Sequence, residues 1–205
     1  MLHYEAIDPR SLELLKLIMS DLSFADFFLV GGTGLALQTG HRISDDLDLF
    51  SKNPFESMQL ISLISYVGEV KVTGEAKNTL NCYVDGIKID FIGYPYPLIG
   101  DLIMEDLIRI ASVADIAAMK LSAIAQRGSK KDFFDMYELL QRYDLYELLD
   151  FFRKKFPSVD TFHILRSLTY FEDAETEKEP VLIKKVTWNQ VKERITDSVK
   201  ELSSK

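Results

Sequence analysis

FFLVGGTGLALQTGHRISDDLDLF, residues 27 to 50, is the stretch on which the reading of this chain turns. Phe27-Phe28-Leu29-Val30 is a short apolar run with the length of a buried strand. It stops at Gly31-Gly32-Thr33, and Leu35, Ala36 and Leu37 behind that turn suit a short helix. After the polar HRISDD a second strand runs from about Leu47 to Phe50. Alternation along it puts Asp46 and Asp48 on one face, with Leu47 and Leu49 on the other. Carboxylates so close repel unless something cationic lies between them, and a hard divalent ion bound by oxygen is the usual answer. The plainer alternative is an exposed strand edge with acids on its wet face. A glycine turn at the head of a helix, likewise, is either a cradle of backbone N–H groups for a triphosphate or merely a turn.

Outward from this stretch the pattern is mixed at first and then helical. Asp8 before Pro9, with Leu12, Leu15, Ile18, Met19 and Leu22 at helical spacing, predicts a helix over about 9–22. Asn53-Pro54 is read as capping a helix through Met58, Leu60, Ile61, Leu63 and Ile64. Three β-like stretches follow, about 69–73, 79–84 and 87–92, the last two joined by the hairpin signal Asp85-Gly86. From Ser112 helices are expected to Arg127, from Lys130 to Tyr143, and over about 145–156, 160–170 and 188–202, with an acidic loop, EDAETEKE, before the last. The expectation is an α+β fold: a mixed β-sheet with flanking helices over 1–111, then a helical bundle over 112–205.

Two further charges sit in apolar surroundings. Asp90 interrupts the strand Ile87-Lys88-Ile89-Asp90-Phe91-Ile92, where an unpaired carboxylate would cost several kcal/mol. Either it pairs with a lysine or caps a loop, or it lies beside Asp48 and completes a three-carboxylate site able to hold metal ions about a transferring phosphate. Lys120 is the one charge between the ends of DIAAMKLSAIAQR, residues 115 to 127. It either reaches nucleotide phosphates or pairs with a buried acid. Asp132, in the first turn of the next helix, is favoured there by the helix dipole whatever else it does.

Composition narrows the partners. With 47% hydrophobic residues in 205, the chain can bury an ordinary core. Its N-terminus lacks a signal-peptide pattern and its apolar runs are too short to span a bilayer. One cysteine, Cys82, excludes an internal disulfide, three histidines offer no zinc cluster, and a cytoplasmic home is expected. A net charge of −8 argues against unspecific coating of nucleic acid, while leaving room for a local basic groove. Basic patches are expected at Arg127 with Lys130 and Lys131, and at Lys184, Lys185, Lys192 and Arg194.

Taken in order, GGTGLALQTGHRISDDLDLF, KIDFI and AAMKLSAIAQRGSKKDFFDMYELL resemble the AbiEii/AbiGii-type nucleotidyltransferase toxins, within the DNA-polymerase-β-like superfamily. The resemblance covers about residues 28–140, and Thr33 stands where related enzymes often carry serine. It implies transfer of a nucleoside monophosphate from an NTP to an acceptor hydroxyl, with Mg²⁺ or Mn²⁺ on Asp46, Asp48 and Asp90. Lys120 and Asp132 join those three acids as catalytic residues. Gly31, Gly32, Thr33, Ser44 and Lys120 become substrate contacts. tRNA or other RNA is the implied acceptor, and a cognate antitoxin the implied partner. Two other readings stay open: a small-molecule nucleotidyltransferase of the antibiotic-modifying kind, and a non-catalytic nucleotide-binding module.

Overall fold

The computed structural model describes residues 1–204. Asp8 accepts hydrogen bonds from the amides of Arg10 and Ser11, and with Pro9 at the first position this opens α1, Pro9–Ser20. β1 (Phe27–Leu29) leads into α2 (Gly31–Thr39), which ends at Gly40 in the left-handed region, and β2 spans Leu47–Ser51. The two glycines therefore form the first turn of the helix itself rather than a turn before it.

α3 (Ser57–Ile64) begins three residues beyond the predicted Asn53-Pro54 cap. Asn53 is used in a turn with Ser51, its amide donating to Ser51 Oγ at 3.1 Å, and the amide of Phe55 donates to Asn78 Oδ1 at 3.2 Å. That pinned turn keeps Pro54 out of the helix.

β3 (Val70–Ala76), β4 (Thr79–Val84) and β5 (Ile87–Gly93) follow as an antiparallel run, with the expected turn at Asp85-Gly86. A further hairpin, β6 (Ile103–Glu105) and β7 (Ile108–Ile110), was not foreseen. Its two-residue turn puts Asp106 and Leu107 at φ 50° and 69°. Such turns usually announce themselves with glycine, and this one has none. The sheet has seven strands in the order β3-β4-β5-β2-β1-β7-β6. β2 lies antiparallel to β1 and parallel to β5, which sets Asp48 directly beside Asp90. On the opposite face Leu47, Leu49, Ile89 and Phe91 are fully buried, and Phe91 meets Phe24 and Phe27.

Then come α4 (Val113–Gln126), α5 (Lys130–Leu139), α6 (Leu145–Lys155), α7 (Phe162–Leu168), the short α8 (Glu172–Glu175) inside the expected acidic loop, and α9 (Trp188–Ser203). α2 packs on β2 and also on α4 and α5. α9 is held by Trp188, which stacks on Phe134, meets Phe133 and Phe171 edge-on, and donates its indole N–H to Glu175. Among the described residues no helix is long and apolar enough to cross a membrane.

Arg109 of β7 donates to the carbonyls of Phe27, Met19 and Phe24 at 2.8–2.9 Å, tying the unforeseen hairpin to β1 and α1. Arg109→Met leaves three carbonyls short of a donor and is expected to cost about 2–3 kcal/mol in urea unfolding. A loss below about 0.5 kcal/mol would mean that water replaces the guanidinium there.

Candidate active site

Gly31 brings the chain from β1 into α2 at φ 67°, a conformation that favours glycine. A Cβ on it would lie 1.9 Å from Asp48 Oδ2, so the carboxylate rests directly on the turn. A Cβ on Gly32 would lie 2.2 Å from Arg42 Nη2. Gly31 is thus required by its φ and by the close approach of Asp48, while a side chain at Gly32 would have to displace the Arg42 guanidinium. The first-turn amides of α2 have no intrahelical acceptor, and the turn they belong to begins at Gly31, against which the Asp48 carboxylate rests.

Asp48 is half-buried and its carboxylate has no hydrogen-bond donor among the described residues. Burial pushes its carboxyl up to about 6; Lys120 opposes the rise, and Asp90 and Asp46 add to it. Its neighbour Asp90 has partners, Lys88 Nζ at 3.0 Å and Asn81 Nδ2 at 2.8 Å. Asp46 precedes β2, so strand alternation does not govern it. Its side chain meets Lys131 Nζ at 3.3 Å while its carbonyl takes the hydroxyl of Thr33. Asp48 and Asp90 are therefore brought together in register as a pair, while Asp46, turned to Lys131, acts on Asp48 only through its charge. Among the described residues no three His, Cys, Asp or Glu side chains converge closely enough to form a cation site. The chemistry of the pair nonetheless suits a hard divalent cation, which takes one or two carboxylates and completes its shell with substrate phosphates.

The hydroxyls of Thr33 and Ser44, expected at the substrate, bond each other at 2.9 Å inside the protein. They brace the loop between α2 and β2, which leaves the backbone of that turn to face a ligand.

Lys120 is 4% exposed and ion-paired, to Asp132 Oδ1 at 2.9 Å and Asp135 Oδ2 at 2.6 Å. Of the two expectations for this lysine, the buried pair is present. Asp135 is also gripped by Arg42 through Nε at 2.6 Å and Nη2 at 3.0 Å, and by His41 Nε2 at 2.7 Å. Asp132 takes Arg127 through both Nε and Nη2 and the hydroxyl of Ser129. Burial alone would raise both carboxyls, but Arg42 and Lys120 hold Asp135, and Lys120 and Arg127 hold Asp132, well below the usual carboxylate range. For Lys120, burial opposes the charge, and Asp135 and Asp132 outweigh it, so the ammonium's pKa is raised. Three permanent cations face two carboxylates, which leaves a positive balance next to the turn. His41 and Arg42 carry no motif a sequence reader would select. The surviving signal is their position, immediately before the acidic run and after a glycine-stopped helix.

The basic patches fare differently. Lys130 turns inward to the carbonyls of Glu175 and Glu177, while Lys184 and Lys192 pair with Glu138 and Glu175. Arg194 donates to the carbonyl of Leu140. Arg127 and Lys131 remain at the site, half exposed or more.

Asp48, Asp90, Gly31, Lys120 and Arg127 line one cleft of ≈ 610 Å³ whose far wall is Phe50, Ile92, Tyr94, Tyr96 and Phe156. A paired-acid end, a cationic side and an apolar wall are combined there. A family model described as the nucleotidyl transferase AbiEii toxin, of type IV toxin–antitoxin systems, matches residues 14–202. The chain belongs to that family. Membership makes it a nucleotidyltransferase of the AbiEii toxin family, and the match runs well past the 28–140 region that carries the motifs. An uncharacterised protein of Aquifex aeolicus is 42% identical over 186 residues, spanning 86% of this chain and 87% of its own. In fold, this AbiEii member is similar to the nucleotidyltransferase toxin MenT4 of Mycobacterium tuberculosis, with a TM-score of 0.63 at 16% identity, over 94% of this chain and 81% of that one. It is also similar to a putative nucleotidyltransferase of Helicobacter pylori, with a TM-score of 0.58 at 16% identity, covering 99% and 98%.

Two outcomes test this geometry. Asp48 titrates higher folded than unfolded, so the native state holds its proton more tightly; that stabilisation is complete below about pH 4 and lost as pH rises through about 6. Asp48→Asn should therefore make the metal-free protein more stable by about 1–3 kcal/mol at pH 8, with the gain shrinking toward pH 4. A pH-independent difference in denaturant midpoints would contradict this. Lys120→Met removes the cation shared by Asp132 and Asp135, leaving Arg127 and Arg42 to hold them, and should cost about 3 kcal/mol, measured by thermal or chemical unfolding.

Proposed function

We propose that this toxin-family nucleotidyltransferase moves a nucleoside monophosphate from an NTP to a hydroxyl of tRNA or another RNA, with Mg²⁺ or Mn²⁺, and that a cognate antitoxin restrains it. The observation that carries the reading is the pair Asp48 and Asp90, in register on adjacent strands, one of them without a donor among the described residues and resting on the first turn of α2. Asp48 and Asp90 would hold the metal, with Asp46 joining on release from Lys131. Such a cation, when bound, supplies charge neutralisation at the reacting phosphate.

The chain's own groups do the rest. Backbone amides at Gly32 and Thr33 take non-bridging phosphate oxygens, aided by the helix dipole. Arg127, half exposed at the cleft and held by Asp132, adds one cation, and Lys120, held by Asp132 and Asp135, a second. Asp90 accepts the proton of the attacking hydroxyl as the new P–O bond forms and the bond from the α-phosphorus to pyrophosphate breaks. In this scheme Asp132 acts by positioning Lys120 and Arg127.

A second acceptor class has its own support. A hollow of ≈ 360 Å³ beside Asp46 is lined by Asp8, Asp45, Asp46 and Asp85 against Arg10 and Lys88. That acidic lining suits a small polycation.

Incubating the purified protein with each labelled NTP, magnesium and total bacterial RNA, beside an Asp48→Ala control, decides between them. Label in RNA with the wild type alone is the expected result. Label appearing instead on an added aminoglycoside or polyamine would transfer the assignment to a small-molecule acceptor.

A further inference from the structure

One row of residues crosses four strands of the sheet. Asp48 on β2 is the register partner of Asp90 on β5, Asp90 that of Asn81 on β4, and Asn81 that of Gly74 on β3. Directly opposed residues share a face, so the row runs from the carboxylate at the α2 turn out to the edge strand.

Asp90 has a different neighbour on each side of this row. Toward β2 stands a second carboxylate, which repels it. Toward β4 stands an amide, whose Nδ2 donates to Asp90 Oδ1 at 2.8 Å. An ionised carboxylate only accepts, so the nitrogen of Asn81 must face Asp90. Its oxygen then faces β3, where a Cβ on Gly74 would lie 2.9 Å from it. The other carboxylate oxygen, Asp90 Oδ2, meets Lys88 Nζ at 3.0 Å.

These two partners differ in how readily they leave. The Lys88 side chain is long, flexible and 41% exposed. Asn81 is short, lies within a strand and is braced from β3. The β3–β4 ladder shifts register between Val72 and Gly74, and Thr73 at that irregularity donates its hydroxyl to the Asn81 carbonyl at 3.1 Å. The shift sets a residue without a side chain opposite Asn81. A larger one would press on Oδ1 and turn the amide away from Asp90.

We infer that Asn81 is the positioning residue for Asp90: by fixing Oδ1 it presents Oδ2 as the oxygen that takes the proton of the acceptor hydroxyl, and Gly74, set opposite by the β3 irregularity, leaves the amide its room. This assignment rests on the reading of Asp90 as the group that accepts that proton. Lys88 gives up Oδ2 as the hydroxyl arrives, while Asn81 keeps Oδ1. Asn81 touches neither NTP nor acceptor, so it governs the rate of transfer and leaves NTP affinity to the α2 turn, Lys120 and Arg127.

The test is steady-state transfer from the preferred labelled NTP to total bacterial RNA, with magnesium, beside calorimetric NTP binding. The proteins compared are the wild type, Asn81→Ala, Gly74→Val, the double variant and Asp90→Asn. Asn81→Ala should lower kcat about ten- to thirtyfold, the loss of one hydrogen bond to a charged group, with KM and NTP affinity kept within about twofold. Gly74→Val should lower kcat about threefold in the wild-type background and add nothing to Asn81→Ala, because both act on the same contact. Wild-type kcat in Asn81→Ala beside an inactive Asp90→Asn overturns the positioning role and leaves the reading of Asp90 standing, as does an NTP affinity that falls in step with kcat. A Gly74→Val loss that multiplies in full with that of Asn81→Ala overturns the part given to Gly74. Full transfer by Asp90→Asn, or wild-type protein that labels neither RNA nor an added polyamine, overturns the reading of Asp90 and the role of Asn81 with it.

Discussion

Asp135 is the point at which the two halves of this protein are tied. It sits on α5, wholly buried, and its two oxygens take Arg42 and His41 from the loop after α2 and Lys120 from α4. A carboxylate in such surroundings is tolerable only because it is met by several donors, and those donors are tolerable only because of it. The network therefore fixes the distance between the strand that carries Asp48 and the helices that close the cleft. Hydrophobic burial holds each layer together, but burial is non-directional, and the orientation of these helices over the sheet comes from paired charges.

The positive balance of that network lies next to a carboxylate with no donor of its own among the described residues. Asp48 is a local cost to the fold, resting against Gly31 with two other acids near it, and the surrounding cations lessen that cost without removing it. Sites arranged this way favour a ligand that brings both cation and anion, as a metal-bound triphosphate does. Tyr94, in the far wall of the cleft, is a second local cost, its hydroxyl buried without a partner among the described residues. The stability given up at these two places lies along one face of β2 and β5, which is the face left uncovered by the core.

Asp48, Asp90 and the glycine turn were legible because each rests on local rules: alternation in a strand, a strand-to-helix stop, an acid in an apolar run. Phe50 and Ile92 in the cleft's wall follow from the same alternation carried two residues further, whereas Tyr94 and Tyr96 lie beyond β5 and Phe156 follows α6, so only the tertiary structure brings those rings to the cleft. Asp46 illustrates the limit. It is one residue short of the strand, so its side chain obeys the loop, and Lys131, 85 residues away, decides its direction. The hairpin at 103–110 was missed because its turn forces Asp106 and Leu107 into a conformation that those residue types do not advertise.

What the sequence by itself determined is the run of main elements apart from the hairpin at 103–110, the acids on β2 and β5 as candidates, the glycine-headed helix and the resemblance to a family of nucleotidyltransferases. These depend on periodicity and residue type within a few positions. Tertiary structure alone decided the fate of the charges. Lys120, Lys130 and Lys184 look equivalent as letters, yet one anchors the interior, one turns to backbone carbonyls and one stays half exposed while meeting the buried acid Glu138. The physical reason is that a charge's role is set by what surrounds it in space, through desolvation and the partners within a few ångströms, and those partners come from distant parts of the chain.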